Sequence, residues 1–334
     1  MQERLIDIVN LFPERRVLVI GDAIADQFIY GAIARVSREA PVFILRHEHT
    51  ETVPGGAANC ALNLASLGAK VSLISVAGED EAGRALLETL QAAGVDCSGV
   101  LTLPSLRTPT KVRILAGQLH STRQQVIRID YEGEPLERPE WRERLRDSVR
   151  EQTQSADAVI ISDYNYGVGD AEMAAFTRET CAARKIPVLA DSRFQLASFA
   201  GFTSATPNQD EVEHLLGKQL METDELEAAS ETLRERLGFR ALLVTRGSHG
   251  MMLLEDGASA VHLEAVGAHD PVDVTGAGDT VMAAYTLALA SGSSFADAAR
   301  VANYAAGLVV MKRGTASVTR EELEDSIFQS HDAD

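Results

Sequence analysis

The sequence predicts an α/β fold, with a mostly parallel central sheet flanked by helices and a small β-sheet lid projecting from it. Short β-rich runs at 16–20, 70–77, 157–162, 187–191 and 241–246 are each followed by a stretch of helical length, the rhythm of βα units stacked around a parallel sheet. Asp22, Asp163 and Asp191 stand at the ends of three of those runs, along the edge where such sheets bind ligands. Two stretches break the rhythm. Residues 27–33 with 41–47, and 110–116 with 124–130, read as paired strands, the second pair turning around Gly117, Gln118, Leu119 and His120.

In chain order, residues 1–12 alternate charged and apolar side chains as an amphipathic helix does, and lack the apolar core of a leader peptide. Helices are expected at 56–67, 80–93, 170–184, 208–216 and 223–237, and a long apolar one at 276–291 through Val281, Met282, Ala284, Tyr285 and Leu287. No repeat, low-complexity tract or Pro/Ser-rich linker interrupts the chain, so one unit over 1–334 is expected, with lid segments at about 27–48 and 108–131 inserted in it. The first lid strands are apolar on both faces, as in Phe28, Ile29, Tyr30 and in Val42, Phe43, Ile44, Leu45. One face is expected to cover a ligand and the other a second subunit.

Composition narrows the function. The 334 residues are 45% hydrophobic and 24% charged, enough for a sizeable core. Thirty-one Lys and Arg against 49 Asp and Glu leave a net charge of −18, which argues against a nucleic acid or an anionic membrane as partner. Cys60, Cys97 and Cys181 are odd in number and scattered, reading as buried thiols in a reducing cytoplasm rather than a disulfide framework or zinc cluster. No run reaches membrane-spanning length.

The chemistry concentrates in Asp273-Val274-Thr275-Gly276-Ala277-Gly278-Asp279-Thr280, where two glycines and an acid open the apolar helix. The first amides of a helix have no partner inside it. Gly276 and Gly278 would let a phosphoryl oxygen approach the amides of Gly276, Ala277 and Gly278 at the positive helix end. Asp279 would then accept a proton from an incoming hydroxyl; the plainer reading is that it merely favours the helix dipole. Gly55-Gly56-Ala57-Ala58-Asn59 is a second glycine turn before a helix. Asp22 and Asp26 suit either sugar hydroxyls or turn chemistry. Asn208 and Glu211, three apart on one helix face, could orient a hydrated Mg²⁺ or simply cap the helix. The string Leu243-Val244-Thr245-Arg246-Gly247-Ser248-His249-Gly250 could touch ATP phosphates or turn a hairpin.

The order of these features, an acid after the first strand, GG…N near 55, NxxE near 208, TRG near 245 and GAGD near 276, resembles the ribokinase-type (PfkB) carbohydrate kinases over essentially the whole chain. That resemblance implies a ribokinase-like fold, ATP with Mg²⁺, and open to a monovalent cation such as K⁺. It implies Asp279 as catalytic base with Gly276, Ala277 and Gly278 as anion hole. Asp26, Gly55, Gly56 and Asn59 match the positions that contact the sugar. Asn208 and Glu211 match the feature linked to Mg²⁺ and phosphate; Thr245, Arg246 and Gly247 match the ATP-phosphate strand; and Asn303, Ala306 and Gly307 look like the adenine side.

Within that family the strings Arg35-Val36-Ser37-Arg38-Glu39-Ala40-Pro41-Val42, Pro54 to Asn59, Gln124 to Asp130 and Ser162-Asp163-Tyr164 are similar to the heptose-7-phosphate kinases that form the first domain of bacterial ADP-heptose synthases. Two departures stand out: Tyr166 where those kinases usually carry Lys, and Ser192-Arg193 where they carry Pro-Lys. An arginine at 193 can still bind phosphate, but its planar fork does not reproduce a lysine's contacts. Lys111, Arg113, Arg128 and Arg193, with Asp163 as a further substrate contact, are the candidates to hold a phosphate already on the substrate; each taken singly reads equally as a solvated surface charge. No His-x-Gly-His string occurs, so the nucleotidyltransferase of that pathway is expected as a separate protein. Ribokinase- or fructokinase-like activity and a non-catalytic sugar or nucleotide sensor are the alternatives; the intact Asp279 and glycines oppose the sensor. A dinucleotide-dependent dehydrogenase fails because the third glycine position is Val281 and no acidic strand end follows. A P-loop enzyme fails because no GxxxxGK[ST] string occurs.

Overall fold

The computed structural model describes residues 1–117, 123–132, 138–267 and 271–329. Its strands are β1 (Arg16–Gly21), β2 (Ala23–Val36), β3 (Phe43–Gly56), β4 (Lys70–Gly78), β5 (Asp96–Leu103), β6 (Thr110–Gly117), β7 (Gln124–Tyr131), β8 (Ala158–Asp163), β9 (Val188–Ser192), β10 (Ser204–Ala205), β11 (Ala241–Thr245), β12 (Met251–Glu255) and β13 (Val261–Leu263). Nine of them form the main sheet, in the order β13-β12-β11-β10-β9-β8-β1-β4-β5. Pairing is parallel from β11 across to β5, and the β11–β12 and β12–β13 pairings at the far edge are antiparallel. The central strands are buried on both faces: Val17, Leu18, Val19 and Ile20 lie beside Ala158, Val159, Ile160 and Ile161. Such continuous apolar runs are what a helix-covered parallel sheet demands.

Two helical layers supply that cover. One face carries α1 (Gln2–Asn10), α2 (Ala57–Ser66), α3 (Glu81–Ala92), α8 (Ala277–Ala290), α9 (Phe295–Val309) and α10 (Arg320–Gln329), whose buried residues share a core with Val17, Val19 and Leu73. The other carries α4 (Pro139–Gln152), α5 (Ala171–Ala182), α6 (Gln209–Leu216) and α7 (Thr223–Leu237), packed with Leu18, Ile20 and Ile161. The helix α8 is buried almost all round, which explains why its sequence is nearly uniformly apolar rather than amphipathic.

The second sheet has the order β3-β2-β6-β7. Its β2–β3 and β6–β7 pairs are antiparallel and its β2–β6 pair is parallel. These strands are longer than the sequence suggests. β2 starts only one residue beyond β1, and β3 runs from Phe43 to Gly56, so the Gly55-Gly56 pair ends a strand rather than forming a free turn. Gly56, at φ +57°, then turns the chain into α2, and a Cβ there would come within 2.6 Å of the Asp22 carbonyl oxygen. The two-faced apolar character expected of the first lid strands is divided: Phe28 is buried, whereas Val42 and Phe43 are exposed, as are Val126, Ile127 and Ile129 on β7. Of the turn predicted at 117–120, residues 118–120 lie outside the described residues.

Candidate active site

The site forms where β8, β9 and β11 end against the start of α8 and the base of the lid. Gly276, the N-cap of α8, sits at φ +78°. A Cβ there would stand 2.7 Å from Asn59 Nδ2, so only glycine fits both the backbone and the neighbour. One turn in, Asp279 is 5% exposed. Asn59 Nδ2 donates to its Oδ2 at 2.6 Å, and the Tyr164 hydroxyl donates to its Oδ1 at 3.2 Å. Burial pushes the Asp279 carboxyl up to about 7, with the two hydrogen bonds and Lys111 opposing and Asp26 reinforcing the rise. A carboxyl so poised exchanges a proton readily near neutrality.

A polar cavity of about 330 Å³ opens in front of it. Asp26, Gly56, Asn59, Lys111, Arg128, Asp163, Arg193, Asn208, Glu211, Thr245, Gly276, Gly278 and Asp279, all named from the sequence, line this one space. Arg113 lines it too and pairs with Asp26 at 2.5 Å. Arg128 is held by Asp130 on its own strand, at 2.9 Å. Lys111 lies with its ammonium 5.3 Å from the Tyr164 ring centroid, and burial draws its pKa down. Asp163 accepts from the Ser192 hydroxyl at 2.7 Å and the Asn165 amide at 2.9 Å.

A second, mainly apolar cavity of about 180 Å³ adjoins the first, bounded by Val266, Val310, Ala277, Asn303, Ala306 and Gly307. Gly307 has no room for a side chain, since a Cβ would meet the Val266 carbonyl oxygen at 2.3 Å. Asn303 Nδ2 donates to the Glu264 carbonyl at 2.7 Å, fixing the wall. Thr245 and Gly278 line both cavities. They therefore mark the neck through which a group would pass from one to the other.

Several expectations change on contact with this geometry. The Ala277 amide donates to the Val274 carbonyl at 3.2 Å, so it is not available to an anion; the first-turn amides of Gly278 and Asp279 are the better-placed donors. Arg246 lines neither cavity and its guanidinium donates to Thr223 at 3.0 Å. Gly55 also stays out of the cavity, where its missing Cβ leaves room for Asp26 Oδ2. Asp22 does turn chemistry: its carboxylate accepts from the amides of Tyr164, Tyr166 and Val168 at 2.9–3.0 Å, and burial pushes it up to about 6. Asn208 and Glu211 form a capping box, Asn208 Oδ1 accepting from the Glu211 amide at 2.8 Å and Glu211 Oε2 from the Asn208 amide at 2.9 Å. Both nonetheless line the cavity, so capping and a site role coexist.

Sequence reasoning gave no site role to Tyr164, Thr206, Thr275 or Thr315, which also line the cavity; Asp191, expected on the ligand-binding edge, lines it too. Tyr164 carried a usable signal, since it stands just after a core strand on that edge. Thr315 carried none; it arrives from the irregular segment after α9. Burial holds Asp191 well above the usual carboxylate range, with Asp279 and Glu211 adding to the rise.

An α/β fold with a β lid, a charged polar cavity and an apolar cavity meeting at the GAGD helix together define a carbohydrate kinase, and the chain belongs to the pfkB family of carbohydrate kinases, whose model matches residues 14–322. Among similar proteins are the Bifunctional protein HldE of Pseudomonas aeruginosa (strain LESB58), 41% identical over 317 residues, and that of Nitrosococcus oceani, 41% identical over 319. Each alignment covers 95% of this chain and 64% of the relative, so the chain spans less than two thirds of the length of the proteins it matches. Among solved structures, Arabidopsis thaliana ribokinase complexed with ribose and ATP superposes with a TM-score of 0.72 at 22% identity, covering 94% of this chain and 98% of that one. Escherichia coli phosphofructokinase-2 in complex with potassium gives 0.78 at 19% identity, covering 94% and 98%. At those identities the likeness is one of fold.

Proposed function

We propose that the chain transfers the γ-phosphoryl group of ATP to a hydroxyl of a sugar that already carries a phosphate, with a D-glycero-D-manno-heptose 7-phosphate 1-kinase-like activity as the specific reading. The observation that carries it is the convergence of Lys111, Arg113, Arg128 and Arg193 on the cavity in front of Asp279. Two of these have carboxylate partners, Asp26 and Asp130. The same wall also carries Asp26, Asp163, Asp191, Glu211 and Asp279, so the lining is mixed in charge; four cations drawn together in a chain of net charge −18 support a phosphate on the substrate, which a neutral sugar would not call for.

In this reading the adenine lies in the apolar cavity and the phosphates run past Gly247 and Thr245 to the amides at the start of α8. Asp279 takes the proton of the acceptor hydroxyl as its oxygen bonds to the γ-phosphorus and the bond to the β–γ bridging oxygen breaks. The lid excludes water from the polar cavity. For Mg²⁺, Glu211 and Asn208 put oxygens of the right kind at the cavity wall, where they also form the capping box. When bound, Mg²⁺ would offset the charge of the nucleotide phosphates. The free thiols of Cys60, Cys97 and Cys181 support a cytoplasmic setting, and among the described residues no helix is long and apolar enough to cross a membrane.

ADP release measured across free sugars, hexose phosphates and heptose 7-phosphate, each with and without Mg²⁺ and with K⁺ or Na⁺, tests the whole reading. Activity confined to free sugars would favour a ribokinase- or fructokinase-like enzyme, and no turnover on any of them a sensor. Charge removal sharpens it. Arg128→Gln and Arg193→Gln are each expected to lower kcat/KM for a phosphosugar by roughly 10- to 100-fold, the worth of one charge-assisted hydrogen bond, while sparing the unphosphorylated analogue. Equal losses on both would assign these arginines to ATP or to structure.

The exposed apolar residues of the lid support a homodimer joined through the lids, since Phe43 is 58%, Ile127 51% and Val126 46% exposed, and apolar edges invite association. Ile127→Asp is expected to give monomers by light scattering at micromolar concentration. A wild-type protein that is already monomeric there would reject the dimer and leave the kinase assignment untouched.

A further inference from the structure

We infer that Asn63 and Thr280, which line neither cavity, fix the polarity of the Asn59 side-chain amide and thereby hold Asp279 in its proton-accepting form. The inference rests on the reading of Asp279 as the base. The four residues make one continuous chain of hydrogen bonds between α2 and α8. The Thr280 hydroxyl donates to Asn63 Oδ1 at 2.7 Å. Asn63 Nδ2 donates to Asn59 Oδ1 at 3.1 Å and to the Asn59 carbonyl at 2.9 Å. Asn59 Nδ2 donates to Asp279 Oδ2 at 2.6 Å.

Direction passes along this chain because each member can do only one thing at each contact. A threonine hydroxyl has a single proton, and here it is spent on Asn63 Oδ1; the Gly276 carbonyl, at 3.4 Å, is the weaker acceptor. With its oxygen so engaged, Asn63 must present its NH₂ to Asn59. The Asn59 oxygen is then engaged in turn, and its NH₂ faces the carboxylate. Were the Asn59 amide reversed, its oxygen would face Asp279 Oδ2, and the contact would become favourable only if Asp279 carried a proton. Amide orientation and protonation state are therefore linked. Asn59, Asn63 and Thr280 are all 1% exposed or less, so no water replaces a missing link, and a reversed amide has no other donor to restore the balance.

The other groups around Asp279 come from different elements: the Tyr164 hydroxyl after β8, Lys111 on β6, Asp26 on β2, Asp191 on β9 and the Cys60 thiol on α2. None of them touches Thr280 or Asn63 in the hydrogen-bond chain just described. A change confined to the chain should therefore be read at Asp279 through Asn59.

The test is the pH profile of kcat/KM for the sugar substrate in Thr280→Val, which keeps the shape of threonine and removes its proton, and in Thr280→Ser, which restores that proton. The bond from Asn59 favours the ionised carboxylate, so weakening or reversing it raises the Asp279 pKa and moves the acid limb to higher pH. The expected result is an upward shift of about one pH unit in Thr280→Val, the equivalent of one charge-assisted bond. The limb should return in Thr280→Ser, with the KM for ATP and the rate at high pH close to wild type. Asn63→Leu, which removes the donor to Asn59 Oδ1 without adding a charge, should shift the limb the same way and serves if Thr280→Val does not fold. Profiles that superimpose on wild type, or that fall uniformly with a lowered melting temperature, would overturn the inference. Failure of the underlying reading looks different: Asp279→Asn would itself retain turnover.

Discussion

Asp279→Asn is expected to fold and to bind ATP while turning over roughly 10² to 10⁴ times more slowly, the range for loss of a general base. The substitution keeps the size of the side chain and can keep both neighbours, since the amide oxygen accepts from Asn59 and its NH₂ can donate to the Tyr164 oxygen. What it removes is the site for the proton. In the wild type, a carboxyl raised to about 7 should give kcat/KM an acid limb near neutral pH, with activity lost as pH falls and the group becomes protonated. The sign for stability is the reverse. Because the folded-state pKa lies above the unfolded value of 3.8, the folded protein binds the extra proton between those values, and stability falls as pH rises through that window. Asp279→Asn lacks this penalty and should melt no lower than wild type at pH 8. A folded mutant with near-normal turnover would remove Asp279 from the role of base.

Gly276→Ala is expected to cost almost as much, by roughly 10²-fold or more in kcat, through geometry alone. The backbone at φ +78° strains any L side chain, and the added methyl would stand 2.7 Å from Asn59 Nδ2, a donor that Asp279 needs. The methyl would thus displace a group from the base in addition to tilting the first turn of α8. Single-turnover kinetics separate this from a binding defect: the chemical step should slow while ATP affinity, measured by equilibrium titration, changes far less. An unaltered chemical step would mean that the anion-binding turn lies elsewhere.

The parallel sheet was legible because its strands are apolar on both faces and short. β1, β4, β8, β9 and β11 lie within one residue or so of their expected bounds. The elements left out have physical reasons. α4 is rich in charge and packs mainly through Trp141, Leu145 and Val149, and β5 carries Ser98 and Gly99 in an edge strand. The lid strands were found but shortened, since charged and polar residues from Arg46 to Thr52 hide β3 from any test of hydrophobicity; their pairing with β2 is a tertiary fact.

In the site, glycine spacing was informative because a glycine required by a close approach leaves a mark in sequence, as Gly276, Gly56 and Gly307 do. Side-chain partnerships leave no such mark. Nothing in the string around Asp22 distinguishes an acid bound by three amides from one that meets a sugar, and Arg246 looks like Arg193 until their surroundings are known. The double use of Asn208 and Glu211 was equally invisible, since a helix cap and a cation ligand call for the same residue types.

The strand β2 begins just after Asp22, where β1 of the main sheet ends, passes Asp26 in the cavity and runs to Val36 at the end of the lid, its register against β3 shifting at Tyr30/Gly31 and Ile33/Arg35. Fourteen residues of strand reach about 45 Å at most, with the polar cavity near one end and open solvent at the other. Such an arm has mechanical advantage. A tilt of a few degrees where it is clamped, too small to disturb the bonds around Asp26, becomes a displacement of several ångströms at its tip, as geometry alone requires of an arm of that span. A reporter attached near Val36 would therefore act as a pointer, magnifying movements at the clamped end that are too small to read there directly.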